Sequence, residues 1–210
     1  MTRHILCASI LAIAAAVGAS GSTVYSNTTT DTFDTIFYSV GPFSGLGDEV
    51  SLAGTDRLAT QATVQFFNNG AAGTFDAVLR LFQVGAPVGA QIGTDFSVNV
   101  IAAPSLGVFN VAFDTGGILV PDNLIFLVYL GNVSNGVDVG LNMFEPPSIG
   151  ASDSSFMIRD AGGFSALSTP NENVFFQLDA TTQGPPIPEP ATLAMVGGGL
   201  LLALLANRRK

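Results

Sequence analysis

The chain has 210 residues, of which 16 are acidic and 7 basic, for a formal net charge of −9. Its one histidine (His4), one cysteine (Cys7) and one lysine (Lys210) lie near the ends, so residues 20–184 contain none of these types. That excludes from the central region Ser-His-Asp and Cys-His triads, histidine metal sites, a Schiff-base lysine, a P-loop and any disulfide.

Taken from the N-terminus, Arg3 and His4 precede an apolar run, Ile5–Val17, followed by small residues. This is the pattern of a secretory signal peptide, residues 1–19. Val17-Gly18-Ala19 is the expected recognition triplet for cleavage before Ser20, with cleavage after Ala16 or Gly21 as alternatives. Cys7 lies inside the apolar run, whereas a lipobox cysteine belongs at its end.

Residues 20–184 read as one domain with its own apolar core. Fifteen acids against three arginines (Arg57, Arg80, Arg159) leave it a formal charge of −12. Such acidity keeps an exported domain soluble and repels nucleic acid and anionic lipid. Asn27–Thr30 reads as a lead-in. Short strands are expected at Thr32–Val40 and Glu49–Leu52. Arg57–Phe67 alternates, with Leu58, Ala62, Val64 and Phe66 on one face and Thr63 and Gln65 on the other. Thr74–Gln83 sets Phe75, Ala77, Leu79 and Leu81 against Asp76, Val78, Arg80 and Phe82. Phe96–Ile101, Gly107–Phe113 and Asn173–Asp179 share this period of two. Leu124–Leu130 is a continuous apolar run, as expected of a central strand covered on both sides. Val137–Met143 and Ser155–Arg159 complete about ten strands. Turn signals stand at Asn69-Gly70, Gly116-Gly117, Pro121-Asp122, Asn135-Gly136 and Gly162-Gly163. The expected fold is all-β, an antiparallel β-sandwich of jelly-roll type.

Several residues in this domain are candidates for chemistry. Asp48 and Glu49, with Asp56 beyond them, form the densest acidic cluster and suit calcium, with Asp31, Asp34, Asp153 and Asp160 as further candidate ligands. The competing reading is a loop in which Arg57 pairs with a nearby carboxylate. Arg80, mid-strand, is expected to sit in a partly buried Arg–Asp pair. Tyr25, Tyr38, Phe43 and Tyr129 are candidate rings for stacking on sugar. Asn27-Thr28-Thr29 and Asn132-Val133-Ser134 match the glycosylation sequon.

From Thr181 to Pro188 the chain reads as a stiff linker. Pro188-Glu189-Pro190 then leads into Ala191–Ala206, 16 residues without a charge. As a helix these would extend about 24 Å. The segment is apolar all round, and it ends in Arg208-Arg209-Lys210, whose preference for the cytoplasmic side stops transfer and leaves the domain outside. The expectation is a sorting segment, 185–210, built of a proline linker, a transmembrane helix and a basic tail.

Pro188-Glu189-Pro190 in front of an apolar block and basic end resembles the PEP-CTERM sorting signal of bacterial exosortase systems. A second resemblance runs through Gly47–Arg57, Val64-Gln65-Phe66-Phe67, Leu79–Phe82, Ala86-Pro87, Val120-Pro121 and Pro146–Gly150. These are similar in order to a module recurring in PEP-CTERM proteins, whose members often carry tryptophan near the position of Phe164. The first resemblance implies recognition of the Pro-Glu-Pro triplet by an exosortase-type enzyme at the inner membrane, removal of the anchor, and release to the cell surface. The expected function is therefore a non-enzymatic surface or matrix protein without a required cofactor. The alternative is a carbohydrate-binding module on exopolysaccharide, with calcium as a candidate cofactor.

Overall fold

The computed structural model describes residues 21–40, 44–85, 88–168 and 173–182, with the side chains of residues 40, 153–155, 167 and 168 set aside. The expected signal peptide 1–19, Phe43, the expected linker beyond residue 182 and the expected membrane helix 191–206 lie outside the described residues. Among those described, no helix is long and apolar enough to cross a membrane.

Thirteen strands account for most of the described chain. In order they are β1 Ser22–Asn27, β2 Asp31–Phe37, β3 Gly45–Ser51, β4 Leu58–Asn68, β5 Gly73–Gln83, β6 Gln91–Ala103 and β7 Gly107–Leu119. They continue as β8 Asn123–Gly131, β9 Val139–Phe144, β10 Ala151–Asp160, β11 Gly163–Ser168, β12 Asn173–Val174 and β13 Phe176–Thr181. One turn of 3-10 helix, Tyr38–Val40, follows β2 where an unbroken strand is expected from the sequence.

Two antiparallel sheets form a sandwich. One contains β1-β13-β4-β9-β12 in spatial order, with β2 added beside β9 and β7 beside β4; the other runs β11-β10-β3-β8-β5-β6. Only β5–β6 and β10–β11 pair as consecutive strands among the described residues. Elsewhere the chain changes sheet at most of its connections, so neighbours come from distant sequence.

Period-two patterning decides which face each side chain takes. Ala62, Val64 and Phe66 of β4 face the other sheet, as do Phe75, Ala77, Leu79 and Leu81 of β5. Phe126 of β8 stacks on Phe176 of β13 at 3.8 Å between centroids, and Phe66 meets Phe75 edge-on at 5.4 Å. Each such ring taken from water contributes about 1.5–3 kcal/mol. The apolar run in β8 is central, between β3 and β5. Its alternate residues Ile125 and Leu127 face away from the main core, into a second cluster with Phe82 and Met157.

Two expectations change. Gly116-Gly117 is not a turn between strands but lies inside β7, where both glycines have positive φ (65° and 75°) and the register with β4 slips. Gly-Gly permits left-handed backbone in a bulge as readily as in a hairpin. Ser22–Asn27, where no strand is expected from the sequence, is β1, and it takes in the first residue of the expected lead-in Asn27–Thr30. Its residues Val24–Asn27 are all buried, so no alternation marks it.

Candidate functional site

The acidic residues singled out in the sequence are not gathered into one site. Asp48 and Glu49 are neighbours on β3 and therefore point to opposite faces. Asp48 faces inward between Leu46 and Val50, fully buried, and its Oδ1 accepts the Glu49 backbone N–H at 2.8 Å. Asp56 lies in the β3–β4 loop and accepts the Ser22 hydroxyl at 2.5 Å. Asp160 Oδ1 accepts the Gly162 N–H at 2.7 Å, which shapes the β10–β11 turn. The Asp153 side chain lies outside the described set. No group of three or more His, Cys, Asp or Glu among the described residues could hold a metal ion.

The arginines are mostly committed to pairs. Arg57 Nε donates to Asp122 Oδ1 at 2.8 Å, and its other donors close the loop through the carbonyls of Ala53, Gly54 and Asp56. Arg80 binds Asp95 through two bonds of 2.8 and 2.7 Å, and its guanidinium sits 4.5 Å above the Tyr129 ring. Hydrogen bonds from Arg80 and then Gln91 hold the Asp95 carboxyl below the usual carboxylate range. Arg159 instead lies over the Phe164 ring at 4.4 Å.

The tyrosines are not a sugar platform. Tyr25 is fully buried against Phe176, and Tyr38 donates its hydroxyl to the Val128 carbonyl at 2.7 Å. Burial raises the phenol of each well above its ordinary value. Tyr129 is half-covered beneath Arg80. Asn27 of the first sequon is buried, its amide donating to the Phe144 and Val174 carbonyls at 2.9 and 3.3 Å, so no glycan can reach it in the folded chain. Asn132 of the second is exposed and donates to Asp76 Oδ2.

A polar and aromatic face not singled out in the sequence crosses the outer surface of the seven-stranded sheet. The register sets Thr35 (β2), Asn142 (β9), Gln65 (β4) and Asn110 (β7) in one row. Thr35 Oγ1 donates to Asn142 Oδ1 at 2.8 Å, Asn142 Nδ2 to Gln65 Oε1 at 2.9 Å, and Gln65 Nε2 to Asn110 Oδ1 at 3.0 Å. Each amide thus has its rotamer fixed. The next row holds Phe37, Gly140, Phe67 and Val108, with Phe37 and Phe67 edge-on at 6.1 Å across the glycine. A Cβ on Gly140 would come within 2.6 Å of the Ile36 carbonyl oxygen, so only glycine lets β2 approach this closely.

Beside these rows β2 bulges between Asp31 and Thr35. Asp31 Oδ1 accepts the Phe33 N–H and Asp34 Oδ1 the Thr35 N–H, both at 2.7 Å. Phe33 is held at φ 61°, with 93 % of its surface exposed. A bulky residue in this region costs about 1–3 kcal/mol and persists only where its surroundings enforce it. Asp31, Phe33, Asp34, Thr35, Phe67, Val108 and Asn142 line an open groove of about 220 Å³.

At the other end of the chain the deciding observation is a sequence match. Residues 186–210 match the family model of the PEP-CTERM protein-sorting motif. The chain carries a PEP-CTERM sorting motif. Pro188, Glu189, Pro190, Arg208, Arg209 and Lys210 all fall within it, outside the described residues. The PEP-CTERM match and the two-sheet sandwich agree with the family resemblance in the sequence. No curated protein and no solved structure matches this chain.

Proposed function

We propose that this is an exported, non-catalytic surface or matrix protein, sorted through its C-terminus. The observation that carries the reading is the PEP-CTERM match at residues 186–210, which implies processing by an exosortase-type membrane enzyme. On this reading the signal peptide 1–19 starts export, and the helix 191–206 halts in the inner membrane with Arg208-Arg209-Lys210 on the cytoplasmic side. Cleavage near Pro188-Glu189-Pro190 then frees the sandwich, 20–184, for the cell surface. The absence of histidine and lysine from residues 20–184 supports a binding or structural role over hydrolysis.

The test is processing in cells. Pro188→Ala and Glu189→Ala are expected to leave full-length protein in the inner-membrane fraction, while the parent chain appears shortened at the surface or in the medium. Immunoblots of the fractions, with mass spectrometry of both ends, read the outcome. Normal shortening of both variants would reject the proposal.

A further inference from the structure

We infer that the outer face of the seven-stranded sheet is a binding groove for a neutral polysaccharide chain. Phe33 is the stacking ring, and the amides of Asn142, Gln65 and Asn110 bind hydroxyl groups. The chemistry of the groove supports this occupant. Asn142 and Gln65 each spend one donor and one acceptor on their neighbours, and Asn110 spends one acceptor. That leaves Gln65 and Asn142 one N–H each and Asn110 both of its N–H groups. A sugar hydroxyl both donates and accepts, so it complements a row that offers both.

Charge narrows the class. Arg80 and Arg159 belong to strands of the opposite sheet, and Arg57 is tied to Asp122 at the start of β4. Asp31 and Asp34 instead border the groove. An anionic polymer meets two carboxylates here and, among the described residues, no cation, whereas an uncharged chain is not repelled by them. At about 220 Å³ the groove is smaller than the roughly 300–1,000 Å³ of pockets that enclose drug-sized ligands. It suits one ring of a polymer that continues past both sides. Peptide addition by strand pairing would use the backbone edges of β2 and β7, each paired on one side, and not the side chains of this face.

The proposal uses the export reading only to place the polymer outside the cell. Tail processing in cells and binding by purified protein are measured separately, so either can fail alone. The test is affinity electrophoresis of the full chain, in non-ionic detergent, through native gels containing hydroxyethylcellulose, laminarin, galactomannan or alginate. Retardation is expected in at least one neutral gel and not in alginate. Phe33→Ala is expected to weaken it about tenfold, a loss of about 1.4 kcal/mol, and Asn110→Ala severalfold. Val100→Ala, on the opposite sheet, should leave it unchanged. Phe33 and Asn110 are exposed, so both variants should keep the parent melting midpoint, which is measured alongside. No retardation in any neutral gel, stronger retardation in alginate, or full retention by Phe33→Ala would each overturn the proposal. So would a concentration-dependent dimer, seen by sedimentation and lost in Phe33→Ala, since the face would then join two copies of the chain.

Discussion

At the scale of single residues, the carboxylates with specific partners are where pH should act. Arg80 and then Gln91 hold Asp95 below the usual carboxylate range, and the Val100 N–H and then the Asn132 amide do the same for Asp76. A carboxyl whose folded pKa is depressed stabilises the fold above its unfolded pKa, about 3.9 for Asp. That contribution is lost as pH falls through the folded value. The melting midpoint should therefore drop as pH is lowered below about 4. Asp95→Asn, which removes the ionisable partner, should lower the midpoint at neutral pH and flatten the acid limb. Thermal unfolding followed by circular dichroism from neutral pH downward checks this. An acid limb of equal steepness in the variant would count against the pair.

At the scale of elements, the tightest constraint is where β3 meets β8. A Cβ on Gly47 would lie 1.8 Å from the Phe126 carbonyl oxygen, on a central strand whose backbone is paired on both sides. Gly47→Ala should thus cost about 2–3 kcal/mol or more, as overpacking in rigid surroundings does. Gly54→Ala faces no atom within 4 Å and should cost only the strain of its φ of 63°, about 1 kcal/mol. Urea unfolding measures both; equal losses would contradict this account.

The same scale shows what could be read in advance. The faces of β4 and β5 were legible because alternation is local: Phe75 and Phe66 point inward where their spacing says they should, while β8 was legible as a continuous apolar run. An Arg–Asp pair at Arg80 was expected, though its partner Asp95 was not named and the carboxylate is exposed where a partly buried pair was expected. The row of Thr35, Asn142, Gln65 and Asn110 was not legible, because it arises from pairing among β2, β9, β4 and β7. Nothing in the neighbourhood of Gln65 names Asn142 as its partner. Phe33 was also hidden, since its left-handed backbone is imposed by the Asp31 turn and contradicts the preference of phenylalanine. Tyr25 looked available for stacking but lies under Phe176, a contact between chain ends.

At the scale of the whole molecule, negative charge outweighs its local compensation. Residues 20–184 carry fifteen acids, and the described residues hold two ion pairs, Arg57–Asp122 and Arg80–Asp95. Self-repulsion at this density opposes compaction. Raising ionic strength from about 0.01 to 0.15 M shortens the screening length from about 30 to about 8 Å. The melting midpoint of the chain should rise over that range. A falling midpoint would mean that the two pairs contribute more than the repulsion removes.

The seating of β13 has a mechanical corollary. It lies between β1 and β4, with Ala180 opposite Ser22, so traction applied at Thr181 pulls along a stave gripped on both flanks. Both ladders must slip together before that stave comes free, whereas an outermost one could be peeled rung by rung. A body tugged from this end is held in shear, its sturdiest direction.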